Sequence, residues 1–275
     1  MKLRLATAVL VVAGIATAAG SAAPAAEVTI PAKLYLPKEL VVITGTTVTW
    51  RNSDRSTHTV TEEEDAFDSG HIAPGAAFST TFAKNGVFAY HCSIHKFMRG
   101  TVSVFDVVLK GPSEPLRAGR RAQLDGVAPA GAIEVSLVRV APGSAEVIDR
   151  AKPGPDGTFA FHVRAPEPRR YRVRAGKASS PLVWVRVAPR VRVDRVRDAI
   201  AVHAVPARPG SRVLLQEYEP ELFTFVTVAR GRLDTTSRTT IEYAPRGPHH
   251  VRVIVRGKDG WSDGVSRAVL VRPRY

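Results

Sequence analysis

One thiol in the whole chain sets the terms for its fold. Cys92 is the only cysteine among 275 residues. No disulfide can form within the monomer, so every domain has to be held by its own apolar core. The 44% hydrophobic content is enough for such cores and excludes disorder over most of the chain. The length allows two or three domains. A lone cysteine pairs with another molecule, survives as a buried thiol or binds a metal.

The residues around Cys92 narrow those options. The stretch Tyr90-His91-Cys92-Ser93-Ile94-His95-Lys96-Phe97-Met98-Arg99-Gly100 places a histidine at +3 and a methionine at +6, just after an alternating strand ends. His58 lies 34 residues upstream, at the start of another candidate strand. A thiolate, two imidazoles and a thioether form the ligand set of a blue-copper site, because thiolate and thioether favour Cu(I) while imidazole serves both oxidation states. Taken singly, each residue has an ordinary reading: a buried small thiol, a surface histidine, a core methionine. Together, Cys-x2-His-x2-Met with an upstream histidine points to a metal.

Short apolar alternations surround these residues, with no convincing amphipathic helix. Candidate strands are Leu40–Thr44, Thr47–Trp50, His58–Thr61, Phe78–Phe82, Val87–His91 and Thr101–Phe105, punctuated by Gly45, Asn52-Ser53-Asp54, Pro74-Gly75 and Asn85-Gly86. Many short strands at this spacing read as a β-sandwich or barrel.

From about Glu27 to Asp106 the chain resembles a cupredoxin of the plastocyanin/amicyanin type. The resemblance rests on Gly45-Thr46-Thr47-Val48-Thr49-Trp50-Arg51-Asn52, Thr57-His58-Thr59-Val60, Phe67-Asp68-Ser69-Gly70, Pro74-Gly75, Tyr90-His91-Cys92, His95 and Phe97-Met98-Arg99-Gly100. The two-residue gap between His95 and Met98 is similar to the amicyanin variant. The resemblance implies a Greek-key β-sandwich holding one type 1 copper, with His58, Cys92 and His95 as equatorial ligands and Met98 as the weak axial one. The chain departs from that family in two places. Ile94 and Lys96 stand where prolines flank the second histidine, which predicts a less rigid loop. Thr59 stands where an asparagine bonds across to the cysteine loop, and a hydroxyl makes only part of that interaction.

Neighbouring residues are expected to lie outside the ligand set. His91 alternates with Cys92 and points to the opposite face, and His71 sits in an exposed loop. Glu62-Glu63-Glu64-Asp65 reads as a solvated loop or an acidic docking patch. Ile94, Phe97 and Pro74 form either an apolar ring around the edge of His95, suited to a redox partner, or simple loop packing.

At the N-terminus, Lys2 and Arg4 precede an apolar run from Leu5 to Ala19 and an Ala-x-Ala site at Ala23-Pro24-Ala25. Residues 1–26 therefore read as a signal peptide, with an uncleaved anchor as the alternative, and the protein is expected to be exported to the periplasm, cell envelope or medium. Beyond Phe105 the composition shifts. Residues 27–106 carry 7 Lys+Arg against 9 Asp+Glu, whereas residues 107–275 carry 30 against 16. That second part repeats at an offset near eighty residues: Gly131–Val135 is echoed by Gly210–Leu214, and Tyr171–Arg174 by Val251–Val255. It weakly resembles two Ig-like or fibronectin-like β domains, 107–190 and 191–275, giving an all-β chain overall.

No phosphate loop, nucleophile elbow or paired carboxylates are visible. Dispersed arginines without interleaved aromatics argue against nucleic acid, and leave an anionic cell-envelope surface as a candidate electrostatic partner. With all strong positions of the metal site filled, no place remains for a substrate. The reading is an electron carrier and not an enzyme. Copper capture and delivery, or surface attachment with an accessory copper domain, are the alternatives.

Overall fold

The computed structural model describes residues 25–129 and 131–273, so the leader assigned to residues 1–26 lies almost wholly outside the described residues. The first strand nevertheless begins at Ala25, and Ala26 is buried in it. Among the described residues the only helical element is a 3-10 turn at Pro220–Leu222, and no helix is long and apolar enough to cross a membrane.

Seven strands build the N-terminal region: β1 (Ala25–Ile30), β2 (Glu39–Ile43), β3 (Thr47–Asn52), β4 (Thr61–Glu62), β5 (Ala77–Thr81), β6 (Gly86–His91) and β7 (Arg99–Phe105). They form two sheets, ordered β1-β3-β5 and β2-β7-β6-β4. β1 runs parallel to β3 and β2 parallel to β7, while the remaining neighbours are antiparallel. Period-two alternation puts Val28 and Ile30, Val48 and Trp50, and Val102 and Val104 into one core with Tyr35, Leu40, Tyr90, Cys92 and Met98. Each fully buried aliphatic side chain contributes about 1.5–3 kcal/mol. Aromatic rings fill the centre: Trp50 meets Tyr90 edge-on at 5.4 Å, and Tyr90 meets Tyr35 at 4.8 Å. Tyr90 lies over Gly100 so closely that a Cβ there would fall 2.4 Å from the ring, which is why a glycine faces it across the ladder.

Five of the expected strands are present to within two residues at their ends. His58–Thr61 is the exception. His58 makes an isolated bridge to Ile72, and only Thr61–Glu62 forms a strand. The backbone between them is committed elsewhere: Thr59 N–H donates to Cys92 Sγ and Val60 N–H to Ser69 Oγ. The acidic run also differs from a solvated loop at its first residue. Glu62 is buried, and its Oε2 accepts from Glu64 N–H and Ala66 N–H.

The remaining strands are β8 (Val108–Lys110), β9 (Leu116–Arg117), β10 (Arg120–Val127), β11 (Val135–Ala141), β12 (Ser144–Ala151), β13 (Thr158–Ala165), β14 (Arg169–Ala175), β15 (Ala178–Ser179), β16 (Val183–Val185) and β17 (Val187–Ala188). They continue as β18 (Arg190–Val196), β19 (Ala199–Val205), β20 (Arg212–Glu219), β21 (Thr224–Arg232), β22 (Arg238–Glu242), β23 (His249–Val255), β24 (Gly264–Val265) and β25 (Val269–Val271).

The repeat seen in the sequence is a repeat of topology. Sheets β13-β10-β8 and β22-β19-β18 match, as do β12-β11-β14-β15 and β21-β20-β23-β24, with β16 on β14 answering β25 on β23. Even the register shift recurs, between Leu137 and Val138 in one copy and between Leu215 and Gln216 in the other. By density of internal contacts the chain divides into two compact units. The first comprises the described residues of 1–110, 124–161 and 171–183; the second comprises those of 111–123, 162–170 and 184–275. Within the first, Ile43, Val108 and Val127 form a small separate core with Val41 and Phe105. Within the second, Ile200, Val202, Val213, Leu215, Val251 and Val253 lie at the centre of another.

Candidate metal centre

Loops at one end of the sheet β2-β7-β6-β4 bring the expected donors together. β6 ends at His91, and the next seven residues form a loop before β7 begins at Arg99. His58 enters from the segment that precedes β4. His58 Nδ1 lies 3.9 Å and His95 Nδ1 3.8 Å from Cys92 Sγ. One donor atom from each of the three residues falls within 4.8 Å of the others.

The fit to a metal follows from these edges. Bonds of about 2.0 Å to imidazole nitrogen and about 2.3 Å to thiolate, opened to about 120°, require nitrogen–sulfur edges of about 3.7 Å. The structure has that spacing. The donor set excludes hard cations such as magnesium and calcium, which take oxygen ligands. Met98 is buried in the same core cluster as Cys92, and its backbone closes the loop: Cys92 N–H donates to Met98 O, and Met98 N–H to His95 O.

Two backbone donors converge on the sulfur. Thr59 N–H and His95 N–H each lie 3.4 Å from Cys92 Sγ. Donation of this kind draws charge off a thiolate and favours the reduced state of a metal bound to it. Thr59, which the sequence marked as a partial substitute, does bridge to the cysteine loop. Its Oγ1 accepts from Ser93 N–H at 2.8 Å and meets Thr61 Oγ1 at 3.1 Å, which in turn meets Ser93 Oγ at 3.0 Å. Three hydroxyls share the task expected of one amide.

Sequence reasoning missed Asp54. His58 is fully buried, and its Nε2 lies 3.0 Å from Asp54 Oδ2. A ligating imidazole whose second nitrogen is held by a carboxylate is fixed in tautomer and ring orientation. The Asp54 carboxyl is held below its ordinary value first by the His58 ring and then by the Arg55 N–H. The turn signal Asn52-Ser53-Asp54 was visible in the sequence, but nothing there joined it to a histidine four residues on. Asn52 anchors this turn, accepting from Asp54 N–H and donating to Ser56 O and Ile72 O.

His95 is half-buried. Burial first, and then the neighbouring His58, push its imidazole below the ordinary histidine value, keeping it in the neutral form that binds metal. Around it Ile94 is 46% and Phe97 73% exposed, and the Phe97 ring lies 6.1 Å from the His95 ring. His91 lies outside the cluster, half-buried in β6, and His71 is exposed, both as expected. In the C-terminal region β20 and β23 bring Glu217 to His249, 32 positions away in the sequence. Glu217 Oε1 lies 2.5 Å from His249 Nδ1, and its Oε2 accepts from Tyr243 Oη.

Residues 4–104 match the family model of the cupredoxin-like domain. Amicyanin from Paracoccus denitrificans is 39% identical over 75 residues, 26% of this chain and 57% of the relative. Amicyanin from Paracoccus versutus is 36% identical over the same shares. The chain thus spans little more than half the length of these curated relatives. Among solved structures, a purple cupredoxin from Nitrosopumilus maritimus is 32% identical, with 29% of this chain and 98% of that one covered and a TM-score of 0.28. A reduced Cu(I) form of an amicyanin variant is 38% identical, with 29% and 81% covered and the same TM-score of 0.28.

Proposed function

We propose, from the premise that the N-terminal domain of this chain is cupredoxin-like and binds copper, that the protein is an exported carrier of single electrons between protein partners. The observation that carries the reading is a buried cysteine sulfur with two imidazole nitrogens within 3.9 Å of it. When bound, copper supplies a one-electron couple, Cu(II) to Cu(I). The residues supply everything else. Cys92, His58 and His95 would hold the ion with donor atoms already set close together, so little would have to move with the electron, and Met98, buried in the same core cluster, would add the thioether that the resemblance implies.

The exposed edge of His95, with Ile94 and Phe97 beside it, is the face at which a redox partner would dock. It is apolar, and a dry contact shortens the path from solvent-excluded sulfur to the partner. The substrate is the electron alone, and no enzymatic step is assigned. The missing prolines would favour a copper-delivery role if the loop were slack. The backbone bonds from Cys92, His95 and Met98 tie it instead, which favours the carrier. The basic residues 107–275, read as two Ig-like domains, would attach the carrier to an anionic envelope surface, and the leader would direct its export.

Loading with Cu(II) tests this reading. The protein should turn intensely coloured, because a thiolate in a trigonal site gives strong charge-transfer absorption. Cys92→Ser should abolish the colour while the protein stays folded. A colourless Cu(II) complex, or colour that survives Cys92→Ser, overturns the assignment.

A further inference from the structure

The second repeat carries a loop that the first does without. β14 and β15 are joined by Gly176-Lys177 alone, whereas β23 and β24 are joined by the eight residues 256–263. The hairpins are otherwise the same. In one, Val173 N–H donates to Ser180 Oγ, which donates to Pro181 O; in the other, Val253 N–H donates to Ser266 Oγ, which donates to Arg267 O. The fold therefore closes with two residues, and the extra six serve something else.

Those extra residues are pinned rather than loose. Gly257 N–H donates to Asp263 Oδ1, Arg256 pairs with Asp263, Trp261 N–H donates to Lys258 O, and Ser262 N–H donates to Val187 O. They present Trp261 with the Arg208 guanidinium 4.1 Å from its ring centre. Beside them stands Trp184 in β16, 46% exposed, with Arg170 4.9 Å over its ring. Gly260 links the two: its φ is +84°, and a Cβ there would come 3.2 Å from the Trp184 ring. Two of the three tryptophans of the chain thus lie in one strip, each with an arginine stacked on it. Among the described residues neither arginine is ion-paired. Leu270 holds the position of Trp184 in the other repeat and is equally exposed at 46%, so the fold asks only for an apolar side chain there.

We infer that Arg170, Trp184, Trp261, Arg208 and the adjacent Lys258 form a binding site for an anionic polysaccharide whose sugars carry carboxylates. Indole faces take the C–H faces of sugar rings, and guanidinium groups take carboxylates in pairs of parallel hydrogen bonds. A surface built for charge alone has no use for two half-exposed indoles, and a purely apolar contact has no use for the unpaired arginines. The net positive charge of residues 107–275 draws such a polymer in. The inference deepens the reading of this region as an envelope-binding surface; the copper site does not enter it.

The test uses the full chain with polygalacturonate, followed by calorimetry and tryptophan fluorescence. Methyl-esterified polygalacturonate, polyphosphate and phosphatidylglycerol vesicles are the comparison ligands. Wild type should bind polygalacturonate and bind its uncharged ester weakly. Trp184→Leu, which installs the residue the second repeat already carries, and Trp261→Ala should each cost about tenfold or more in affinity. Neither should change binding to polyphosphate, which has no rings to stack. Circular dichroism melting checks the fold. If both tryptophan variants keep wild-type affinity for polygalacturonate, or if vesicles bind more tightly than the polysaccharide, the strip is not the site, although the basic-surface reading survives. Failure of wild type to bind any of the anionic ligands overturns both.

Discussion

His58 has two ring nitrogens, and the protein has committed both. Nδ1 faces the Cys92 sulfur and Nε2 faces Asp54. Because the ring is fully buried, an imidazole without that carboxylate would leave a polar nitrogen unsatisfied and free to choose the other tautomer. Asp54→Ala should therefore lower copper affinity by about 10–100-fold while leaving the colour of the loaded protein nearly unchanged. Asp54→Asn, which keeps an acceptor oxygen, should recover most of the loss. Competition against a copper chelator measures this, and equal affinities for Asp54→Ala and wild type would remove Asp54 from any role at the centre. The candidate donors were legible in the sequence because Cys92, His95 and Met98 share one loop. Asp54 was not, because its link to the site is a hydrogen bond that only the folded turn creates.

Turns repeat as faithfully as strands. Before β13, Gly154 N–H donates to Thr158 O and Gly157 N–H to Gly154 O; before β22, Asp234 N–H donates to Arg238 O and Ser237 N–H to Asp234 O. Gly157 and Ser237 both take positive φ, 79° and 62°. In each turn a carboxylate caps the backbone: Asp156 accepts from Thr158, and Asp234 from Thr236 and Arg238. Asp234 is held below its ordinary value of 3.8, first by the Arg238 N–H and then by the Thr236 hydroxyl. A lowered carboxyl pKa means stabilisation that is complete above the ordinary value and lost as the pH falls through the folded one. Acid titration of the full chain, followed by tryptophan fluorescence, should show stability falling as the pH drops below about 4. Asp234→Asn, which cannot titrate, should fall less steeply over that range. Equal slopes would mean that the turn carboxylate contributes nothing. The strands of the repeat were legible as alternation. The matching turns were not, since Gly157 and Ser237 have no sequence likeness and agree only in backbone conformation.

At the scale of the molecule, copper chemistry and positive charge are kept apart along the chain. All four expected ligands lie between residues 58 and 98, while the basic excess lies beyond residue 106. A fragment of residues 25–106 should fold, bind copper and show the spectrum of the full chain, since every donor and every backbone bond to the sulfur falls inside it. It should also melt several degrees lower. Val41, Ile43 and Phe105 pack on Val108 and Val127 in the full chain, and truncation would expose that apolar surface. Spectra and calorimetry of the two proteins decide the matter. A changed spectrum would mean that residues beyond 106 help to shape the centre, and an unchanged melting temperature would mean that the small core contributes no stability.

The sequence by itself determined the all-β character, the candidate donor set and the repeat. Alternation of apolar residues, donor spacing within one loop and self-similarity are all local or periodic properties. Only the tertiary structure decided which carboxylate holds His58, how three hydroxyls replace one amide behind the cysteine loop, and that the loop carrying Trp261 lies against Trp184, 77 positions earlier in the sequence. Those relations depend on strand pairing and on loops brought together at the ends of sheets. The hydroxyl and indole partners share no short window of sequence, and Asp54 and His58, four residues apart, are joined only by the folded turn.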